Sequence, residues 1–167
     1  SINQAESGRG YSVFEGFLLL LADQFAQSES VAFVRAVDIV VALPDVMVEH
    51  WPEIVRTGRL LAEGTTKAVR PVLVGRVSQP HPGRPLPVCG TGKAIEAELS
   101  ASGVEQLSTM RISASRVMAL LISRARQHDI RLPADFWTAP FKYRPRPPAM
   151  TPEDISAAIE EKLHAES

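Results

Sequence analysis

The sequence predicts a mostly α-helical domain of about five to six helices, with at most a small sheet around residues 72–99, and an α+β arrangement is the alternative. Apolar residues recur at spacings of three and four over several segments, as they do on one face of a helix. One β-branched segment is typical of a strand. The 167 residues, 45% of them hydrophobic and 22% charged, suffice for one globular core.

The first forty residues predict a loose terminus and two helices. Residues 1–10 are polar and contain glycine, which is typical of a flexible end. A helix is expected over 12–27, with an apolar face made of Phe14, Phe17, Leu18, Leu21 and Phe25. Ser30 is a suitable cap for a second helix, whose apolar face would hold Phe33, Val37 and Val41. The valine-rich run 37–41 leaves a buried strand open there.

A third helix is expected from a cap at Asp45 to about Ala62. Pro52 falls inside it, where its ring would interrupt the backbone hydrogen bonds. The helix is therefore predicted to restart with Pro52 in its first turn and with Trp51 packed inward. Gly64 provides the stop.

The middle of the chain predicts a strand over 71–78, where β-branched residues lie between prolines. Residues 79–92 hold four prolines and three glycines, so a long connection is expected there. Residues 93–102 fit a short helix that ends at Gly103, and a strand that returns against the first is the alternative.

Two further helices are predicted. Ser113 is a plausible cap for a helix over 113–128, and Thr151, Pro152 and Asp154 form the start signal of a terminal helix. The predicted organisation is a flexible N-terminus, a helical core, a Pro-rich basic strap and a C-terminal amphipathic helix, over residues 1–10, 11–132, 133–150 and 151–167.

The composition predicts a soluble protein of a reducing intracellular compartment such as the cytoplasm. One cysteine cannot form an internal disulfide. The apolar run 17–22 is far shorter than the ~20 residues that span a bilayer, so no membrane partner is expected. The chain starts with Ser, which suggests a processed product or an excised piece of a larger assembly.

A basic block lies between acidic ends. Residues 111–146 contain eight Arg or Lys and two Asp, although the whole chain has a net charge of -1. Arginines interleaved with aromatic rings suit nucleic acid, whose backbone the cations follow and whose bases stack on the rings, and they also suit an acidic protein surface. The leading prediction is a non-enzymatic interaction module that binds one of these partners through Arg111, Arg116, Arg124, Arg126, Arg131, Trp137, Lys142, Tyr143, Arg144 and Arg146. The alternative is that the aromatics anchor the Pro-rich strap to the core and the arginines pair with the acidic N-terminal half.

The segment 85–96, "PLPVCGTGKAIE", raises a second function, a small enzyme or phosphate-binding domain that uses Cys89 to Lys93. The phosphate-binding pattern GxxxxGK[ST] fails here, because Pro87 stands where its first glycine should be and Ala94 where its hydroxyl should be. A looser anion loop of Gly90, Gly92 and Lys93 is the remaining possibility. Cys89 would need a neighbouring base to act as a nucleophile, and no local motif supplies one.

No cofactor and no metal site are predicted. The histidines, His50, His81, His128 and His164, have no metal-ligand spacing among them. A third alternative is a structural homo-oligomer, whose interface would be the Phe/Leu-rich first helix.

Overall fold

The N-terminal half is helical in the computed structural model, which describes residues 12–78, 85–103, 108–138 and 160. Its elements are α1 (Val13–Ser28), α2 (Phe33–Val41), α3 (Pro44–Met47), a 3-10 turn (Val48–His50) and α4 (Trp51–Ala62). The second half contains β1 (Leu73–Ser78), β2 (Leu86–Gly90), α5 (Gly92–Ser102), β3 (Ser108–Ser113), α6 (Ala114–Gln127) and α7 (Ala134–Thr138). The predicted fold class, mostly helical with a small sheet, is confirmed.

The helix α1 starts at a reciprocal cap and turns its apolar face inward. The Ser12 hydroxyl accepts a hydrogen bond from the Glu15 backbone N–H at 3.1 Å, and the Glu15 carboxylate accepts one from the Ser12 N–H at 2.8 Å. The buried side chains are Phe14, Phe17, Leu21, Ala22 and Phe25. The apolar face of the first helix therefore fills the core of its own chain, whereas an oligomer interface on this helix stays a prediction.

The segment after α1 is a helix and not a strand. Its N-cap is Ala32 rather than Ser30. Ser30 has a φ of 53°, a left-handed conformation that reverses the chain between α1 and α2. A capping residue needs an extended backbone, so Ser30 cannot cap this helix. α2 buries Ala36, Ile39 and Val40.

The predicted third helix is interrupted just before Pro52, as the position of this proline predicts. α4 begins at Trp51 with Pro52 in its first turn, and Trp51 is buried, as expected. Gly64 follows α4 with a φ of 69°, and the Thr65 N–H donates to the Leu60 carbonyl at 3.2 Å. This bond closes the helix end as in a Schellman motif.

The sheet is antiparallel and has the order β2-β1-β3. Two of its strands were not predicted: β2 lies inside the expected connection 79–92, and β3 lies beyond the expected range of the sheet. Pro87 is tolerated in β2 because this is an edge strand, where a nitrogen can face away from the neighbouring strand. Residues 92–102 are helical, and Gly103 ends α5 with a left-handed φ of 66°.

The two faces of the sheet contribute to two hydrophobic cores. Side chains alternate along β1, so Val74 and Val77 lie on opposite faces. On one face Val74, together with Cys89 and Ile112 of the outer strands, joins the main core formed with the helices. On the other face α5 covers a smaller core, which consists of Val77, Val88, Ile95 and Leu99 with Leu73 packed against it.

The helices α4 and α6 pack closely through small residues. A Cβ added at Gly58 would overlap the side chain of Met118. Beside this contact the Val72 N–H donates to the Ser115 hydroxyl at 2.8 Å, which ties the residue immediately before β1 to α6. The Thr57 hydroxyl donates to the Glu53 carbonyl at 2.7 Å.

The short helix α7 docks on the main core. Phe136 is buried, and its carbonyl accepts a hydrogen bond from the Trp51 indole N–H at 3.2 Å. The rings of Trp51 and Phe136 meet edge to face at 5.5 Å. The start of the predicted strap 133–150 thus packs against the core. The predicted terminal helix over 151–167 lies outside the described residues, except for Glu160, which is helical and exposed.

Candidate functional site

Six of the ten predicted binding residues fall in the described part of the chain. Arg111 lies on β3, Arg116, Arg124 and Arg126 lie on α6, Arg131 follows α6, and Trp137 lies on α7. The side chains of the three α6 arginines and of Arg131 are exposed. Lys142, Tyr143, Arg144 and Arg146 lie outside the described residues.

A groove of about 210 Å³ lies where the end of α1, the end of β3 and the first turns of α6 meet. Arg111 and Arg116 both line it, together with the polar side chains of Gln24 and Ser28 from α1. Its remaining lining residues are Ile112, Ser113, Val117 and Leu120. Two arginines that are five positions apart in sequence therefore belong to the lining of one cleft.

The junction between β3 and α6 fixes the positions of the two arginines. The Ser113 hydroxyl caps α6 by accepting a hydrogen bond from the Arg116 N–H at 3.1 Å. The Val72 carbonyl accepts hydrogen bonds from the Ala114 N–H at 2.9 Å and from the Ser115 N–H at 3.4 Å. The first backbone donors of α6 are thus satisfied within the protein.

Arg111 is held by a weak contact. Its guanidinium Nη2 donates to the Glu96 carboxylate of α5 at 2.8 Å, and the two side chains are 28% and 55% exposed. An ion pair this accessible to water contributes only about 0–1 kcal/mol, so an anionic ligand could replace the carboxylate at little cost. Glu96 lies outside the acidic N-terminal half, so this contact does not test the alternative interpretation, in which the arginines pair with that half.

Arg116 lies at the N-terminal end of its helix, where the helix dipole disfavours a positive charge. It is the third residue of α6, whose first turn contains no acidic residue. A helix N-terminus carries a partial positive charge, which disfavours a cation there by roughly 0.3–1 kcal/mol. Arg116 forms no ion pair within the described residues. No ion pair among the described residues therefore uses the charge of Arg116.

The arginines of α6 form a broad face rather than a compact patch. At about 100° per residue, Arg124 and Arg126 lie roughly 160° apart around the helix axis, one on each flank of Arg116. The rise of 1.5 Å per residue separates Arg116 from Arg124 by about 12 Å along the axis. Arg124 and Arg126 lie in the last turn, where a cation is favoured by the helix dipole. Their position therefore has a structural reason as well as the predicted binding role.

Trp137 already has a cationic partner. The Arg59 guanidinium carbon lies 4.2 Å from the centre of the Trp137 ring. The rings of Trp137 and Phe136 also meet edge to face, with ring centres 5.2 Å apart. One face of the ring is thus covered by Arg59 of the same chain, which reduces the surface on which a base could stack.

The loop after β2 is a short, capped turn into α5. The Thr91 hydroxyl accepts a hydrogen bond from the Ala94 N–H at 3.2 Å, and α5 begins at Gly92 with Lys93 exposed. His50 lies beside this loop, since its Cε1 atom would be 3.7 Å from a Cβ added at Gly90. Forty residues separate the two positions, so no local motif could link them.

Cys89 is buried on the core side of the sheet. Burial away from water raises the pKa of its thiol from 9.0 to about 12. The thiol is therefore protonated at neutral pH, whereas a nucleophilic cysteine acts as a thiolate. The geometry of this loop does not favour the enzyme alternative.

Within the described residues, no group of three or more His, Cys, Asp or Glu side chains could hold a metal ion. The same part of the chain contains no helix with the length and apolar composition needed to span a bilayer. Comparison of the sequence with family models and curated proteins, and of the structure with solved structures, finds no significant match.

Proposed function

We propose that this protein binds the phosphate backbone of nucleic acid through Arg111, Arg116 and the exposed arginines of α6. The observation that carries the proposal is the single groove whose lining includes both Arg111 and Arg116. Guanidinium groups recognise phosphate oxygens through paired hydrogen bonds. The groove would hold one phosphate group, and the flanking arginines would follow the neighbouring ones.

The proposed contacts are mainly electrostatic and independent of base sequence. Among the described aromatic side chains of the predicted segment, Phe136 is buried and Trp137 is partly covered by Arg59. Base stacking by these residues therefore has less support than phosphate contacts. Binding without stacking or base readout is expected to be weak, with a Kd of about 10⁻⁴ to 10⁻⁶ M at physiological salt.

The dependence of affinity on salt tests the proposal. The affinity of the protein for a fluorescein-labelled single-stranded oligonucleotide would be measured by anisotropy between about 50 and 200 mM salt. Four arginine contacts predict a slope of about -3 in a plot of log K against log [salt], because each contact to a single strand contributes about -0.7. Arg116→Ala and Arg111→Ala should each lower the affinity and make the slope less steep by about 0.7.

Arg56→Ala is the matched control. It removes the same charge from an exposed side chain of α4, whose partner is Glu53. Arg56 lies roughly 160° around α4 from Gly58, the residue that contacts α6. An unchanged slope in the groove variants, or equal effects of Arg56→Ala and Arg116→Ala, would overturn the proposal. Competition by polyglutamate that is as strong as competition by unlabelled oligonucleotide would favour an acidic protein partner instead.

A further inference from the structure

The two arginine ion pairs of the described residues differ in the number of hydrogen bonds that hold the guanidinium group. In the pair of Arg56 and Glu53, Nε and Nη2 donate to the two oxygens of the carboxylate. In the pair of Arg111 and Glu96, Nη2 donates to Oε1 at 2.8 Å, and no second hydrogen bond joins these two side chains. A guanidinium group binds an anion most strongly through two parallel hydrogen bonds. Glu96 therefore uses only part of the binding capacity of Arg111.

The position of Glu96 on α5 explains why this carboxylate reaches Arg111. The helix packs on the sheet through Ile95 and Leu99. Helix geometry places Glu96 roughly 80° to one side of these two residues, and Glu98 roughly 80° to the other side. Both glutamates are exposed, but only Glu96 forms an ion pair with a described residue. The helix thus carries two similar carboxylates, of which one contacts the arginine.

We propose that Glu96 is an internal competitor of phosphate, which occupies the guanidinium group of Arg111 until a phosphate group takes its place. The competition rests on the proposed function, because Arg111 belongs to the lining of the same groove. None of the described residues that line the groove is acidic. The negative charge on Arg111 therefore comes from α5, outside the groove, and phosphate binding by Arg111 and its ion pair with Glu96 exclude each other.

The exchange of Glu96 for phosphate is favourable, but it has a cost. A phosphate group can accept two hydrogen bonds from the guanidinium group, whereas Glu96 accepts one. The released carboxylate is 55% exposed, so water can hydrate it. An exposed ion pair contributes at most about 1 kcal/mol, which corresponds to a factor of about five in affinity. Glu96 therefore weakens phosphate binding without preventing it.

The variant Glu96→Gln tests the competition, and Glu98→Gln is the matched control. Each removes one negative charge from an exposed residue of α5, but only Glu96 contacts Arg111. In the anisotropy measurement, Glu96→Gln should raise the affinity for the labelled oligonucleotide about two- to fivefold at about 50 mM salt, and Glu98→Gln less than about twofold. Equal effects of the two variants would overturn the competition, while a salt-dependent affinity of the wild-type protein would still support the proposed function.

A double-mutant cycle assigns the gain in affinity to Arg111. In the Arg111→Ala background, Glu96→Gln should raise the affinity no more than Glu98→Gln does, because the carboxylate then has no guanidinium group to occupy. Circular dichroism checks that each variant keeps its fold. An undiminished gain in this background would overturn the proposal, since Glu96 would then act only as a general negative charge.

Titration with inorganic phosphate tests the competition without nucleic acid. The NMR signal of the Arg111 Nε–H should shift as phosphate is added, with a midpoint at an about two- to fivefold lower concentration in Glu96→Gln than in the wild-type protein. A signal that phosphate moves in neither protein, or equal midpoints in both, would overturn the proposal. A lower midpoint in Glu96→Gln without any binding of the oligonucleotide would support the competition and contradict the proposed function.

Discussion

The hydroxyl oxygens of Thr57 and Ser115 lie 2.6 Å apart in the buried contact between α4 and α6. Ser115 accepts the Val72 N–H and donates to Thr57, and Thr57 in turn donates to the Glu53 carbonyl, so each hydroxyl hydrogen has an acceptor. Both side chains are fully buried. This chain of hydrogen bonds joins the residue immediately before β1 to α6 and α4.

Removal of the Ser115 hydroxyl should destabilise the fold. Ser115→Ala leaves the buried Val72 N–H without this partner, which costs about 1–3 kcal/mol of the free energy of unfolding. Urea denaturation measures this loss. Ser123→Ala is the matched control, since Ser123 is an exposed residue of the same helix, and it should change stability by less than about 0.5 kcal/mol. A double-mutant cycle with Thr57→Val should give a coupling energy of about 0.5–3 kcal/mol. Additive effects of the two substitutions would contradict the hydrogen bond between the two hydroxyls.

Substitution of Gly75 should be among the most harmful changes in the sheet. A Cβ added there would overlap the Met110 backbone carbonyl of β3, and backbone atoms cannot move aside without breaking the strand pairing. Gly75→Ala is therefore expected to abolish cooperative thermal unfolding or to lower the Tm strongly.

Substitutions of two other glycines provide comparisons for Gly75→Ala. Gly58→Ala meets the Cβ and Cγ atoms of Met118, which move only together with the backbone of α6, so a loss of about 1–3 kcal/mol or more is expected. Gly16 lies in α1 with no atom within 4 Å of an added Cβ. Gly16→Ala should stabilise the protein by roughly 0.5–1 kcal/mol, because alanine is the better helix former. The reverse order of effects for Gly75 and Gly16 would contradict the described packing.

The buried thiol of Cys89 predicts how stability changes in alkaline solution. Its pKa is raised to about 12 in the folded protein, so between pH 9 and 12 the native thiol keeps its proton while the unfolded thiol loses it. The native state then binds more protons, and stability decreases as pH rises through this window. Cys89→Ala should lose stability less steeply over the same window in denaturation curves. Parallel curves for the two proteins would contradict a protonated native thiol.

The hydrogen bond from Trp51 to Phe136 predicts the role of α7. Trp51→Phe keeps an aromatic ring in the cluster and removes the donor to the Phe136 carbonyl. A loss of about 1–3 kcal/mol is expected, because the carbonyl remains buried without its donor. Hydrogen exchange should accelerate in residues 134–138 more than in α1. Equal acceleration in both helices would indicate global loosening rather than release of α7.

Most of the helices could be predicted from the sequence because their signals are local. Caps and apolar spacing define α1, α4 and α6 within a few residues. The strand β2 could not be predicted, because Pro87 is acceptable only at a sheet edge, and edge position depends on the order of all three strands. The cap of α2 was misplaced because the left-handed turn at Ser30 follows from how α1 and α2 pack.

The candidate groove could be predicted only in part. Its two arginines belong to the basic block, which composition alone identifies. Gln24 and Ser28 lie more than eighty residues earlier, and only the packing of α1 against β3 brings them to the same cleft. The partner of Trp137, Arg59, was missed for the same reason.

Because the protein has two cores of different size, its parts are expected to unfold at different free energies. The main core spans most of the described helices, whereas α5 is held by a few apolar side chains and by the exposed pair of Arg111 and Glu96. We expect α5 to open locally at a lower free energy than global unfolding requires. Each opening of α5 would also separate Glu96 from Arg111 and expose the charge of the groove. The local opening of α5 and the release of Arg111 to bind an anion are thus one and the same equilibrium.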